Sequence, residues 1–446
     1  MRQHRAREYL KGLSLAIALT GAGICTAVGT AQAQTLGDIV QHTKVDGNVR
    51  AYYFTRQFTP QATSKKNNVN AFSLAVRLNV TTAPFAGGFG IGATLLTAQS
   101  LGHNVSRPDS TLMGPDSQVT ALGQLYLQYK QPLYMVRVGD QILNTPWMNA
   151  SDSRVMPVSF QAALVDITPI EHLHIYGIRE IAWKSRTSKN YFKNNLYYPS
   201  TWGGDSSYGG QPYTVNNTSQ RASGTLAFGA SYANMGLKAQ AWYYNFYQFA
   251  RTFYGEAKYT YDTGTGFNPV IGIQAMRQQQ SNSMFNQYNV KPNGLGGNVD
   301  STTEGAMIGV KVPHGMLALS YDKVLYRANA FGGGVVISPF TANYATDPLW
   351  TTSMIRGLVE LGPGHAWKIK GSYKILNDQL KLVAAFTKYT TQFKGNSTNL
   401  YFDATYSFHG ALKGLSLRDR VEISRGHRTN GADQFVYNRV ITQYTF

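Results

Sequence analysis

Arg418 and Arg420 stand two residues apart in a run whose alternate positions are Leu415, Leu417, Val421 and Ile423. In an extended strand, residues two apart share a face. Both guanidinium groups therefore leave one side of a ribbon whose other side is largely apolar. Arginine stays charged at any working pH and offers a planar fork that fits a carboxylate. Arg77 and Arg137 hold the same kind of position on polar strand faces. Several such sites in series attract an anion without trapping it, which conduction requires. Nothing beside them supplies a reaction. His172 and His174 are two apart and share a face if both lie on one strand. No clustered Cys or carboxylate completes a metal site there, so they read as wall residues. No motif gathers a Ser-His-Asx or Asp-His set, and Gly332-Gly333-Gly334 lacks the Lys-Ser/Thr sequel of a phosphate loop. No cofactor is expected.

The elements that must carry these residues have a period of two. Phe72, Leu74, Val76, Leu78 and Val80 alternate with Ser73, Ala75, Arg77, Asn79 and Thr81, and a turn follows at 83–88. Phe89, Ile91, Ala93 and Leu95 then share a side. Leu125, Leu127 and Tyr129 oppose Gln124, Tyr126 and Gln128, while Tyr134, Val136 and Val138 oppose Arg137 and Gly139. Asp419 interrupts the apolar face of its strand and is expected near a membrane boundary.

Composition narrows the class. Of 446 residues only 14% are charged, 13% are aromatic and one is Cys. That excludes a disordered chain and a disulfide scaffold. Mean hydropathy is -0.26, and the best candidate for a spanning window, the uncharged stretch 328–346, contains three glycines and Pro339 and reads as a loop. A helical membrane protein is therefore not expected. Residues 1–33 have the parts of a cleaved secretory signal: Arg2, Arg5, Arg7 and Lys11, an apolar core from Leu13 to Val28, and Ala31-Gln32-Ala33. Ile24 stands where a lipoprotein motif needs a small residue, so Cys25 leaves with the signal. Residues 34–446 are expected to form one domain. Their 37 basic and 22 acidic residues give +15, spread without the basic block of a nucleic-acid binder.

A soluble sandwich and a membrane barrel both alternate. Three features favour a transmembrane antiparallel β-barrel. Tight turns alternate with long polar stretches such as 184–221 and 278–301; the polar faces carry Arg, Gln and Tyr; and the chain ends Val440-Ile441-Thr442-Gln443-Tyr444-Thr445-Phe446. That ending resembles the signal read by the outer-membrane insertion machinery. The length suits 16 to 18 strands around water. Lys184, Arg186, Lys189 and Lys193 fall in an outer loop and are expected to meet lipopolysaccharide or solvent.

The segment Val138-Gly139-Asp140-Gln141-Ile142-Leu143-Asn144-Thr145-Pro146-Trp147, continuing through Asp152-Ser153-Arg154-Val155-Met156-Pro157-Val158-Ser159-Phe160, resembles the OprD family of outer-membrane porins, the carboxylate channels. The opening strand Arg50-Ala51-Tyr52-Tyr53-Phe54 and the run Gly362-Pro363-Gly364-His365-Ala366-Trp367 extend the likeness. His365 replaces a frequent Glu, which leaves substrate preference open. The resemblance implies a monomeric-type barrel of about 18 strands, a third loop folded into the pore, and a ladder of arginines guiding the passive diffusion of small carboxylate solutes, either amino acids or aromatic or cyclic carboxylates. On it, Arg154 matches an arginine near the narrowest point, Arg50 one on the first strand, and Arg418, Arg420 and Arg439 the closing cluster. Tyr176 is a further wall candidate, and Asp140, Asp152 and Asp347 are candidate acids. The competing readings are a non-selective diffusion porin of the trimeric kind and a barrel enzyme or adhesin working through its loops; the sequence leaves monomer and trimer both open.

Overall fold

The computed structural model describes residues 35–58, 69–103, 110–113, 118–151, 154–186, 188–193, 224–280, 298–338, 340, 348–354, 357–359, 363–393, 395–427 and 434–446. The expected leader, Asp152 and Asp347 lie outside them.

Eighteen antiparallel strands form one sheet in which each strand pairs with its sequence neighbours. The sheet closes because β1 (Lys44–Phe58) pairs with β2 (Val69–Thr81) on one side and with β18 (Phe435–Thr445) on the other. Closure leaves no unpaired edge, a condition for crossing lipid with strands. The alternation decides which side faces where. Ile271 and Ile273 are 60% and 68% exposed, and Leu125, Leu127 and Leu317 share the outer face with them. In water each would forfeit roughly 1.5–3 kcal/mol of burial; in hydrocarbon that cost vanishes. A charge on that face would instead cost roughly 2–4 kcal/mol at mid-membrane, so Arg77 of β2 and Arg418 and Arg420 of β17 (Leu415–His427) turn inward.

One end carries tight turns, such as Glu171-His172 between β6 (Ser159–Ile170) and β7 (Leu173–Lys184). His172 takes φ 68° in that turn and pairs with Glu171, whereas His174 faces inward to Asp166. The two histidines therefore do not share a site. Helix α1 (Leu36–Gln41), capped by Thr35 and Asp38, precedes β1 at this end, where Gly47 and Phe446 exchange two backbone hydrogen bonds of 3.0 and 3.1 Å. Tyr444 and Phe446 face outward, 46% and 48% exposed. Asp419 faces outward too, one outward position above the Leu417–Tyr406 pair, and accepts a 2.8 Å hydrogen bond from Asn438.

The other end carries the long connections, and the described parts of the third and the seventh enter the barrel. The third, residues 142–158, follows β5 (Tyr134–Gln141). The seventh, 325–363, joins β13 (Gly315–Val324) to β14 (Gly364–Ile375). Together they fill much of this half with packed side chains. Leu143, Trp147 and Met148 cluster with Phe331, Val335, Val336, Ile337 and Phe340; Val155 and Met156 cluster with Met354, Tyr52 and Phe54. The expectation that a barrel of this size encloses water around an inward third loop is thus corrected for this half, where apolar side chains of two loops pack together. Strand faces alone could not reveal it, because the filling comes from loops.

Candidate functional site: the basic inner wall and the folded-in loops

Arg418 and Arg420 both lie on the inner face and converge on one acid. Arg418 donates from Nε (2.9 Å) and Nη2 (2.5 Å) to the two carboxylate oxygens of Asp403 on β16 (Gly395–Ser407). Arg420 Nε stands 3.4 Å from Asp403 Oδ2 and donates to Tyr401 Oη at 3.0 Å. Two guanidinium groups against one carboxylate leave a surplus of positive charge. Lys370 of β14 and Lys381 of β15 (Leu380–Thr391) add to it: Lys370 lies within Coulomb reach of Lys381, Arg420 and Asp403. The sequence reading missed Asp403 and both lysines. Inward register was the available signal, since Lys381 is cross-strand partner of Thr405, two residues from Asp403.

Arg439 is the register partner of Arg420 on one side and of Phe54 on the other. It is only 1% exposed, and its guanidinium carbon lies 5.7 Å from the Phe54 ring centre. Arg154, in the third loop, is also 1% exposed and lies 5.5 Å from the same ring. Both are expected from the sequence to line the pore; in the structure each lies buried at these distances from the Phe54 ring centre. Cation–π contacts of this kind are worth roughly 0.5–2 kcal/mol. Arg50 acts on the loop directly: Nη1 donates to the Arg154 carbonyl at 2.6 Å while Nε holds Gln443 Oε1 at 2.8 Å. Arg77 and Arg137 are inward as expected. Arg77 Nε donates to Asn79 (3.1 Å), which donates to Asp46 (2.7 Å). Arg137 donates to Gln128 at 3.0 Å and lies 4.2 Å over the Tyr126 ring.

A closed barrel with cationic side chains on its inner wall and a strapped loop inside it is what the family comparison bears on. A model described as outer membrane porin, OprD family, matches residues 37–329. The chain belongs to the OprD family. Among solved structures of the same fold are Pseudomonas aeruginosa OccK8 (OprE), 16% identical, with a TM-score of 0.72, covering 92% of this chain and 99% of that one. OpdK of the same organism, solved with vanillate, is 15% identical at TM-score 0.69, covering 91% and 99%. Acinetobacter baumannii OccAB3 is 14% identical at TM-score 0.71, covering 91% and 99%. No curated protein matches the sequence. The chain is an integral outer-membrane channel, not an enzyme.

In an OprD-family porin the long-loop end is extracellular. There, burial corrects the reading of the fourth loop. Lys184 is 0% exposed, its Nζ donating to the carbonyls of Pro157 and Ser185 at 3.2 Å each, and Arg186 donates to Ser151 of the third loop at 3.2 Å. These two pin loops together, while Lys189 and Lys193 are exposed. The Tyr191 hydroxyl bonds to Ser159 (2.9 Å) and Gly123 (3.2 Å), and burial pushes its pKa up.

The seventh loop is the main feature the sequence reading did not place. Gly332, Gly333 and Gly334 take φ values of 58°, 72° and 100° and reverse the chain. The Gln278 side chain then pairs with both backbone groups of Ile337, at 2.9 and 3.0 Å, as an edge strand would. Deeper in, Asp322 accepts from the Thr351 backbone and hydroxyl at 2.7 Å each and from Gln274. Tyr389 Oη donates to the Thr351 carbonyl at 2.8 Å, and Lys368 Nζ to that of Thr352 at 2.8 Å. Trp350 donates to Glu256 at 2.9 Å and takes Lys258 over its ring at 5.0 Å. Each of these loop groups has its partner on a wall strand, so the loop is strapped rather than draped.

Proposed function

We propose that this porin is selective for small carboxylate-bearing solutes, which diffuse passively along its basic inner wall. The observation carrying this reading is the pairing of Arg418 and Arg420 with a single Asp403, beside Lys370 and Lys381. A solute carboxylate can compete for a guanidinium already presented in fork geometry, and the shared acid keeps the attraction finite. That OpdK was solved with vanillate, itself a carboxylate, agrees. Arg50, Arg154 and Arg439 position the third loop in this reading, and Arg77, Arg137, Arg418 and Arg420 meet the passing anion.

The mature chain is 34–446 after removal of the leader, delivered by the insertion machinery through its aromatic last strand and surrounded by lipid and lipopolysaccharide. Reversal potentials in planar bilayers test the selectivity. Wild-type channels are expected to favour anions. Removing one charge about 6 Å from the path in water alters the attraction by ~0.7 kcal/mol, about threefold in residence. Arg418→Gln and Arg420→Gln should each shorten carboxylate residence by about that factor. Unchanged residence in both variants would support a non-selective porin instead.

A further inference from the structure

Strands nine apart in an eighteen-strand ring face each other, so β8 (Thr225–Asn234) stands across the lumen from β17 with its arginines. The wall around β8 has a different character. On the inner faces of β7 and β9 (Leu237–Phe246), His174, Tyr176, Trp242, Tyr244 and Phe246 form one continuous stack. Successive ring centres are 5.9, 5.2, 5.7 and 5.3 Å apart, with interplanar angles of 9°, 15°, 15° and 7°. Tyr176 and Trp242 sit on strands that flank β8, and their common register partner is Gly229. A Cβ at Gly229 would lie 2.3 Å from the Trp242 ring. The missing side chain lets the indole lie across β8 and meet the tyrosine.

Packing accounts for the upper part of the stack. Tyr244 and Phe246 are 0% and 1% exposed, and Phe246 meets Phe340 of the seventh loop at 5.9 Å. It accounts only in part for the lower end, where Tyr176 packs against the same apolar cluster and His174 extends beyond it. Tyr176 is half-buried, and the His174 side chain is 41% exposed. His174 is nevertheless held in plane, with Nδ1 2.9 Å from Asp166 Oδ1, and Tyr176 Oη lies 3.3 Å from Ser231. An aligned, anchored stack with an open end is a platform for one more ring.

We propose that the His174–Tyr176 end of this stack, backed by Trp242 over Gly229, binds the planar unsaturated ring of a carboxylate solute. The inference rests on the carboxylate reading above and adds what the far side of the lumen contributes. One wall takes the charge and the opposite wall takes the ring, so a small solute meets them in succession. Offset parallel rings attract beyond their buried area, whereas a saturated ring of the same size presents no π-face.

Benzoate and cyclohexanecarboxylate share a charge and differ in that face. Their residence times in single wild-type channels should differ about threefold to tenfold in favour of benzoate. Tyr176→Leu should bring the two acids to parity, Tyr176→Phe should keep the difference, and His174→Leu should reduce it. Should the Tyr176→Leu barrel fail to assemble, His174→Leu decides, since that side chain is at the open end. Parity in the wild type, or a difference persisting through the Leu variants, overturns the ring site. The same recordings give ion selectivity. An anion-selective wild type blind to the ring overturns this site alone, and a cation-selective one that still prefers benzoate overturns the basic wall alone.

Discussion

Asp403 controls how strongly the inner wall attracts. It takes two hydrogen bonds from Arg418, one from Tyr401 at 2.6 Å, and the Arg420 contact at 3.4 Å. Asp403→Asn removes the only carboxylate in this cluster of described residues and leaves the guanidinium groups uncompensated. Carboxylate residence should lengthen about threefold, by the same ~0.7 kcal/mol per unit charge, with reversal potentials shifted further toward anions. A shift toward cations would contradict the wall's role. The two arginines were legible because their strand alternates so plainly. Their shared acid was not, because Asp403 becomes significant only once β16 is set beside β17 in register. Arg154 was found through its surrounding motif, and its burial against Phe54 was beyond reach: the contact joins positions a hundred residues apart, with no local pattern to announce it.

At the scale of elements, the strands were readable and the destinations of the loops were not. The end of β5 at Gln141 and the inward faces of Arg77, Arg137 and Tyr176 follow from period two and turn chemistry. The stretch from 328 reads as a loop from its glycines. That it enters the barrel depends on Gln278, Ser301, Asp322 and Glu256, donors and acceptors scattered over other strands. Asp322 is the most heavily used of these straps. Hydrogen bonds to a charged group are worth roughly 1.5–3 kcal/mol each, and Asp322→Ala forfeits several while unpairing the Thr351 amide. The variant should show larger and noisier single-channel conductance than wild type. Identical traces would mean that the loop is held by its apolar contacts alone. Arg50→Met should loosen the third loop in the same way, seen as faster cleavage of that segment by added protease.

For the whole molecule, ring closure is the decisive fact. β18 bonds β17 and β1 along its length. Removing residues 435–446 would expose two long strand edges, which aggregate rather than insert. Such a chain should lose the heat-sensitive fast-migrating form on gels that marks a closed barrel, and a truncation that kept it would mean β1 and β17 can seal directly. The barrel class and the outer-membrane setting were legible because lipid imposes one rule on every strand, whereas length left 16 to 18 strands and only the family resemblance pointed to about 18. The apolar filling of the extracellular half was not, since it obeys no repeat.

The Gly47–Phe446 pairing sets the start of β1 beside the last residue on one rim. A circular permutant is therefore geometrically natural: a short linker across that gap, with new ends cut at the Glu171-His172 turn. It would conserve every strand pair while moving the aromatic residues off the terminus. Refolding in detergent but failing to assemble in cells would separate what the barrel needs for its architecture from what the cell needs for its address.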